Sequence, residues 1–203
     1  MNYLAIDTSG KNLTVIIKKG EEIFRVYDAE CGVNHSVELM PKVEQLALSA
    51  NFDLKDADFF AAVVGAGSFT GIRIGVATVK AMCFAYKKPC LAITSFDTLS
   101  YNEKGGKVLA LIDAKHNGFY ACGYNDYKVD FEPCYIMREK VMELIKDYDQ
   151  VVCSTVVDGI DTKTVSVCEG LINAIELNLD KVTFDIEALS PLYVRKSQAE
   201  EGR

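Results

Sequence analysis

This 203-residue chain contains an apolar run followed by a glycine-rich loop and a long apolar segment, and this order determines much of its fold. Phe59 to Val64 is unbroken in its apolar character, which predicts a strand buried on both faces. The loop Gly65–Gly71 follows it, and Ile72 to Tyr86 is helical by composition. A buried strand followed by a loop and a long helical segment predicts an α/β protein.

Shorter elements surround this segment in the first half of the chain. Three apolar runs joined by short turns, at 4–6, 13–17 and 23–27, predict an antiparallel meander. Apolar residues then recur at helical spacing from Leu39 to Ala50, and Asn34 or Ser36 can cap that helix. A strand at 90–94 and a short helix at 95–101 complete this half.

The glycine-containing stretch Lys104–Lys107 is the predicted boundary between two lobes. We expect an N-terminal lobe over residues 1–103, with the meander, two main helices and a partner surface, and an abbreviated C-terminal lobe over 104–203. In the second lobe, strands are predicted at 108–112, 119–124, 133–136 and 151–153, and helices at 138–148 and 167–177. Both lobes begin with a strand that ends in aspartate, Asp7 and Asp113, and folds back as a hairpin. This echo suggests two related α/β halves.

Charge and composition exclude several classes of protein. The chain is 49% hydrophobic, which excludes disorder, and its net charge is −7 with scattered basic residues, which disfavours unaided nucleic-acid binding. No apolar run reaches the length of a membrane span, and no signal peptide is visible, so we expect a cytoplasmic protein. The seven cysteines form no CxxC pair and are expected to be buried in a reducing compartment.

The glycine-rich loop is the first candidate for chemistry. Backbone N–H groups at the start of a helix form an anion-binding arrangement, to which Ser68 and Thr70 add hydroxyls and Arg73 a charge. The loop departs from G-x-G-x-x-G at Thr70, and no Walker lysine follows. Two interpretations stay open: a phosphate contact through Gly67, Ser68, Thr70, Gly71 and Arg73, or a tight turn in which Ser68 or Thr70 caps the helix.

The turn Asp7–Thr8–Ser9 is the second candidate. A carboxylate with two hydroxyls at a strand end can hold a hydrated cation or contact a phosphate, and it can equally stabilise the turn itself. His35 and His116 stand in no metal-binding or triad pattern. We therefore predict no catalytic residue and no metal ligand.

The helix from Ile72 to Tyr86 predicts a partner surface. Two faces are apolar or small, one formed by Ile72, Val76, Val79 and Cys83 and the other by Ile74, Ala77, Ala81 and Ala85. A helix that is apolar on nearly all sides must be buried on nearly all sides, either within one core or against a partner. The residues predicted to form the interface are Leu39, Met40, Val43, Ala47, Ile74, Gly75, Thr78, Ala81, Met82 and Ala85.

Several of these motifs together resemble the TsaB (YeaZ) family. They are Asp7-Thr8-Ser9, His35-Ser36 through Pro41, Gly65-Ala66-Gly67-Ser68-Phe69-Thr70-Gly71-Ile72-Arg73-Ile74-Gly75, Lys80-Ala81 and Pro191-Leu192-Tyr193-Val194-Arg195. The resemblance is strongest over residues 2 to 100. Ala66 departs from the family's usual proline, and the chain is short for the family.

The resemblance implies an actin/Hsp70/sugar-kinase-like fold with two α/β lobes. It implies a role in bacterial synthesis of threonylcarbamoyladenosine on tRNA, as a noncatalytic subunit that binds and organises TsaD, the catalytic paralogue whose metal-binding histidines this chain lacks. TsaE, an ATPase, joins the pair, TsaC makes the threonylcarbamoyl-adenylate they consume, and a homodimer is expected without TsaD. Contact with tRNA is expected only through the complex, and no membrane is expected.

No cofactor is firmly implied, and ATP or ADP with magnesium at a partner interface stays open. The alternative function is an ATP-dependent transferase or phosphohydrolase that uses Asp7 and the glycine-rich loop. A Rossmann oxidoreductase fits less well, because its fingerprint is broken and far from the N-terminus.

Overall fold

The computed structural model describes residues 1–195 and divides the chain into two compact units. The first comprises Met1–Thr94 and Ile175–Leu192, and the second comprises Ser95–Ala174 and the described residues that follow Leu192. The stretch predicted as the boundary, Lys104–Lys107, lies inside the second unit. The short helix before it belongs to that unit because Asp97 accepts a hydrogen bond from the Tyr124 hydroxyl at 2.8 Å. Residues 196–203 of the predicted C-terminal lobe lie outside the described residues.

The first unit is built on a five-stranded mixed sheet. Its strands are β1 (Asn2–Asp7), β2 (Leu13–Lys19), β3 (Glu22–Asp28), β4 (Phe59–Val63) and β5 (Cys90–Ile93), in the order β3-β2-β1-β4-β5. The first three strands pair antiparallel, which confirms the meander, and β4 and β5 continue the sheet in parallel. All five residues of β4 are buried, as the unbroken apolar run predicts.

Two helices cover one face of this sheet. Helix α1 (His35–Ser49) and helix α2 (Phe69–Tyr86) share a core cluster with alternate residues of the strands. That cluster contains Leu4 and Ile6 from β1, Leu39 from α1 and Ile72 from α2. The alternation follows from the two-residue period of strand side chains, and it fixes which face of β1 meets the helices.

The second unit repeats this strand order. Its strands are β6 (Lys107–Asp113), β7 (Gly118–Asn125), β8 (Lys128–Met137), β9 (Gln150–Cys153) and β10 (Lys163–Thr164), in the order β10-β9-β6-β7-β8. Read from β8, the order and the strand directions match those of the first sheet. Asp113 ends β6 as Asp7 ends β1. The internal echo of two short motifs is therefore a repeat of whole sheets.

Helices α3 (Ser95–Ser100), α4 (Arg138–Leu144) and α5 (Val167–Leu177) complete the described elements, with short 3₁₀ turns between several of them. The predicted helix at 138–148 is shorter than expected because its last residues, Ile145–Asp147, form such a turn. All seven cysteines are unpaired, and all but Cys134 are buried. Within residues 1–195, no helix is long and apolar enough to cross a membrane.

Candidate functional site

The two sequence motifs of the first half meet in one place, where the end of β1 faces the start of α2. The Asp7 carboxylate is buried there, and one of its oxygens accepts hydrogen bonds from the Ser9 backbone N–H at 2.8 Å and the Ser9 hydroxyl at 2.7 Å. Burial raises the pKa of the Asp7 carboxyl, and the hydrogen bonds from Ser9 and the charge of His35 act in the opposite direction. This carboxylate therefore holds its own turn together.

Two further hydrogen bonds fasten that turn to the glycine-rich loop. The buried Thr8 hydroxyl donates to the Gly71 carbonyl at 2.7 Å, and the Ser68 N–H donates to the Ser9 carbonyl at 2.7 Å. Both bonds join segments that lie about 60 residues apart in the chain. The two candidate motifs thus form a single structural unit.

Three glycines make this contact sterically possible. A Cβ atom on Gly67 would lie 2.2 Å from the Ser9 carbonyl oxygen, and one on Gly71 would lie 2.0 Å from the Thr8 carbonyl oxygen. One on Gly75 would lie 2.5 Å from the Thr8 hydroxyl oxygen. The glycines are therefore required by the close approach of the two segments.

The start of α2 is capped within the chain. The Ser68 side chain accepts a hydrogen bond from the Gly71 N–H at 3.2 Å, which is the arrangement of an N-cap. This is one of the two interpretations that the sequence left open for the loop. The predicted phosphate contacts separate into two groups: Asp7, Thr8 and Ser9 are buried with internal hydrogen bonds, whereas Ser68, Thr70 and Arg73 are exposed. A nucleotide or phosphate contact at this place stays a prediction.

Neither histidine belongs to a group of metal-ligating side chains within residues 1–195. His35 is buried at the start of α1, with its Nε2 atom 3.0 Å from the Asn12 carbonyl oxygen, and His116 is exposed in the β6–β7 turn. Among the described residues, no group of three or more histidine, cysteine or acidic side chains is arranged to hold a metal ion. In the same turn as His116, the exposed Asp113 accepts hydrogen bonds from Lys115, so the two repeated aspartates differ in environment.

Helix α2 has the two faces that its sequence predicts. Ile72, Val76, Val79 and Cys83 are buried in the core of the first unit. On the other side, Ala77, Ala81 and Ala85 are exposed and Ile74 and Thr78 are half-buried. An exposed apolar stripe therefore runs along most of the helix.

The structure corrects the predicted partner surface at four positions. Leu39, Val43, Gly75 and Met82 are buried within the unit, because they face its sheet and core, and so they do not lie on its surface. Met40, Ala81 and Ala85 are exposed, and Ala47 is half-buried. Their role in binding stays a prediction.

Sequence reasoning missed the two most exposed large apolar side chains of these helices. Phe84 on α2 is 84% exposed, and Leu48 on α1 is 75% exposed. Phe84 stands three residues after Ala81 and seven after Ala77, so helical spacing places it on the same stripe. That spacing was the signal that could have found it. We call the exposed set Met40, Leu48, Ala77, Ala81, Phe84 and Ala85 the helix face.

Two α/β units whose sheets have the same strand order, each with a first strand that ends in aspartate, define an actin/Hsp70/sugar-kinase-like protein and confirm the predicted fold class. A family model described as "TsaD: tRNA N6-adenosine threonylcarbamoyltransferase" matches residues 28–152, which is more than half of the chain. The chain belongs to this family, and within it to the TsaB (YeaZ) proteins.

Curated relatives and solved structures agree with this assignment. The tRNA threonylcarbamoyladenosine biosynthesis protein TsaB of Bacillus subtilis is 28% identical, over 98% of this chain and 96% of that protein. The TsaB of Escherichia coli is 27% identical, over 61% of this chain and 55% of that protein. A Pseudomonas aeruginosa structure described as similar to peptidase YEAZ has a TM-score of 0.79 at 21% identity, covering 96% of this chain and 99% of its own. That likeness supports the fold.

Proposed function

We propose that this chain acts in the biosynthesis of threonylcarbamoyladenosine on tRNA, as a noncatalytic subunit that binds and organises the catalytic paralogue TsaD. The observation that carries the proposal is the helix face. It presents six apolar or small side chains on two adjacent helices, whereas the opposite side of α2 packs in the core of the first unit. Exposed apolar side chains grouped on neighbouring helices are typical of a protein–protein interface.

The composition of the helix face suits association of helices. The alanines of α2 allow a partner helix to approach closely, and Phe84 is the large side chain that such an interface buries. Complete burial of an exposed phenylalanine contributes about 2 kcal/mol from apolar area alone. Phe84 is therefore the expected centre of the binding energy.

The contacts around Asp7 support a structural role for the Asp7–Thr8–Ser9 turn in this chain's own fold. One Asp7 oxygen accepts both hydrogen bonds from Ser9, and the Thr8 hydroxyl donates to the Gly71 carbonyl, so these contacts hold the turn together and fasten it to α2. We propose accordingly that the chemistry belongs to the partner. TsaE joins the pair in a larger complex, tRNA is contacted only through that complex, and the helix face forms a homodimer when TsaD is absent. The complex is expected in the cytoplasm.

Co-elution with the catalytic paralogue from the same genome tests this proposal. Equimolar mixtures at micromolar concentration should elute together in size-exclusion chromatography, and Phe84→Glu or Ala81→Glu should separate them, because each buries a carboxylate in an apolar contact. Val156→Glu is the matched control, since Val156 is also 84% exposed and lies in the second unit. Independent elution of the unmodified proteins would contradict the proposal.

The alternative, an ATP-dependent transferase or phosphohydrolase, rests on the exposed Ser68, Thr70 and Arg73 at the start of α2. It requires nucleotide binding by the isolated chain. Titration calorimetry with ATP and magnesium separates the two functions: saturable heat that is lost in Arg73→Ala would favour the enzyme, and no heat would favour the noncatalytic subunit.

A further inference from the structure

A groove of about 950 Å³ opens beside the helix face, where α1 and α2 both end. Val43, Phe52 and Leu54 contribute apolar lining, and Met40, Leu48 and Tyr86 continue it outward. Met40 and Leu48 also belong to the helix face, so groove and face form one continuous surface of the first unit. Its volume is in the range that accommodates several side chains of a binding partner.

Three carboxylates line this apolar groove, those of Glu44, Asp53 and Asp56, and no lysine or arginine of the described residues lines it. The Lys55 ammonium pairs with Asp53 at 2.7 Å. The Lys19 ammonium donates to the carbonyls of Ala50 and Asn51, at 3.2 and 2.8 Å. Within residues 1–195, neither Glu44 nor Asp56 takes part in an ion pair. The groove is thus apolar in its floor and negative at its rim.

We propose that this groove binds a segment of the catalytic partner that combines apolar side chains with at least one lysine or arginine. The inference rests on the proposed function and names the chemistry of the partner surface. The Lys55 ammonium, which pairs with Asp53, also interacts electrostatically with Asp56. Covering Glu44 without a cation would desolvate its carboxylate at a cost, so a partner with a basic side chain at this place is favoured. The apolar floor requires that this side chain be flanked by apolar ones.

Charge also distinguishes such a partner from a second copy of this chain. A two-fold symmetric dimer brings the same surface of each copy together. Centred on the groove, it would oppose carboxylates to carboxylates, which is unfavourable. The groove therefore favours the heterodimer over the homodimer, while the uncharged helix face permits both.

Charge reversal in the groove tests the inference, with the dissociation constant for the purified paralogue measured by calorimetry. Glu44→Lys and Asp56→Lys should each weaken binding about tenfold or more, and Glu44→Gln should weaken it less. Glu139→Lys makes the same charge change at an exposed position of α4 and should leave the constant unchanged. Because all these side chains are exposed, the variants should melt as the unmodified chain does.

Salt dependence gives a second readout. Binding by the unmodified chain should weaken between about 50 and 300 mM salt, and Glu44→Lys should lose much of that dependence, because screening acts only on the attraction that the variant removes. Tight binding that is identical in the unmodified chain, Glu44→Lys and Asp56→Lys would overturn the inference and leave the proposed function intact.

The remaining outcomes also decide between the proposals. No binding by the unmodified chain would overturn the proposed function together with this inference. Glu44→Lys could change self-association in analytical ultracentrifugation and leave the dissociation constant for the paralogue unaltered. The groove would then bind a second copy of this chain, and the inference would be overturned.

Discussion

Helix propensity and steric contact predict opposite changes in stability when Gly71 is replaced by alanine. Gly71 lies in the first turn of α2, where helix propensity alone predicts that alanine stabilises by about 1 kcal/mol. The structure predicts the opposite sign, because the new Cβ would lie 2.0 Å from the Thr8 carbonyl oxygen. Ordinary contacts of a Cβ atom begin beyond 3 Å, so the two backbone segments must separate by about an ångström.

Neither segment can move freely. Thr8 directly follows β1, which is paired with both β2 and β4, and Gly71 is tied to it through the Thr8 hydroxyl. Overpacking of this kind costs about 3 kcal/mol at the upper end of its usual range. After the gain in helix propensity, the expected net loss in the free energy of unfolding is about 2 kcal/mol.

Urea unfolding followed by circular dichroism measures this change, with Gly20→Ala as the control. Gly20 has a φ of +61°, and a Cβ added to it would meet no atom of residues 1–195 within 4 Å, so its alanine variant reports the backbone cost. That cost is about 1 kcal/mol. A Gly71→Ala variant as stable as the unmodified chain, or more stable, would refute the steric account of the glycine-rich loop.

Two further predictions concern the same place. Ser68→Ala should lower the free energy of unfolding by about 1 kcal/mol in the same urea titration, because the N-cap hydrogen bond is lost. Thr70→Ala should change it by less than about 0.5 kcal/mol, because Thr70 is exposed and Ser68 supplies the cap. Asp7→Asn should stabilise the chain at pH 7, since burial raises the pKa of the carboxyl and its charged form opposes folding. Because the pKa of the Asp7 carboxyl is raised in the folded state, the unmodified chain loses stability as the pH increases through the titration of this group. The advantage of Asp7→Asn over the unmodified chain in thermal melts should therefore shrink from pH 7 toward pH ~4. An equal advantage at both pH values would contradict a raised pKa of Asp7.

Much of the architecture could be predicted because it depends on local pattern. The unbroken apolar run of β4 and the alternation in the meander each determine an element by themselves. The repeat of a strand ending in aspartate, Asp7 and then Asp113, pointed correctly to two related sheets. Periodicity also assigned Val76 and Val79 to the buried face of α2.

The site was harder to predict because its decisive contacts join distant segments. The glycines at 67 and 71 suit a phosphate cradle as well as they suit contact with a neighbouring turn, and only the position of Thr8 and Ser9, about 60 residues earlier, separates the two. The helix face posed a different difficulty. Periodicity groups residues by side, but Leu39 and Met40 show that adjacent apolar residues take opposite environments, and which of them is buried depends on where the sheet lies.

Reconstituted tRNA modification measures whether this chain organises a catalytic partner through its helix face, as we propose. The assay combines TsaD, TsaE, tRNA and threonylcarbamoyl-adenylate and measures threonylcarbamoyladenosine formed with no added chain, with the unmodified chain, or with Phe84→Glu. We expect modification only with the unmodified chain, and its loss with Phe84→Glu at an unchanged melting temperature. Equal modification in all three reactions would contradict it.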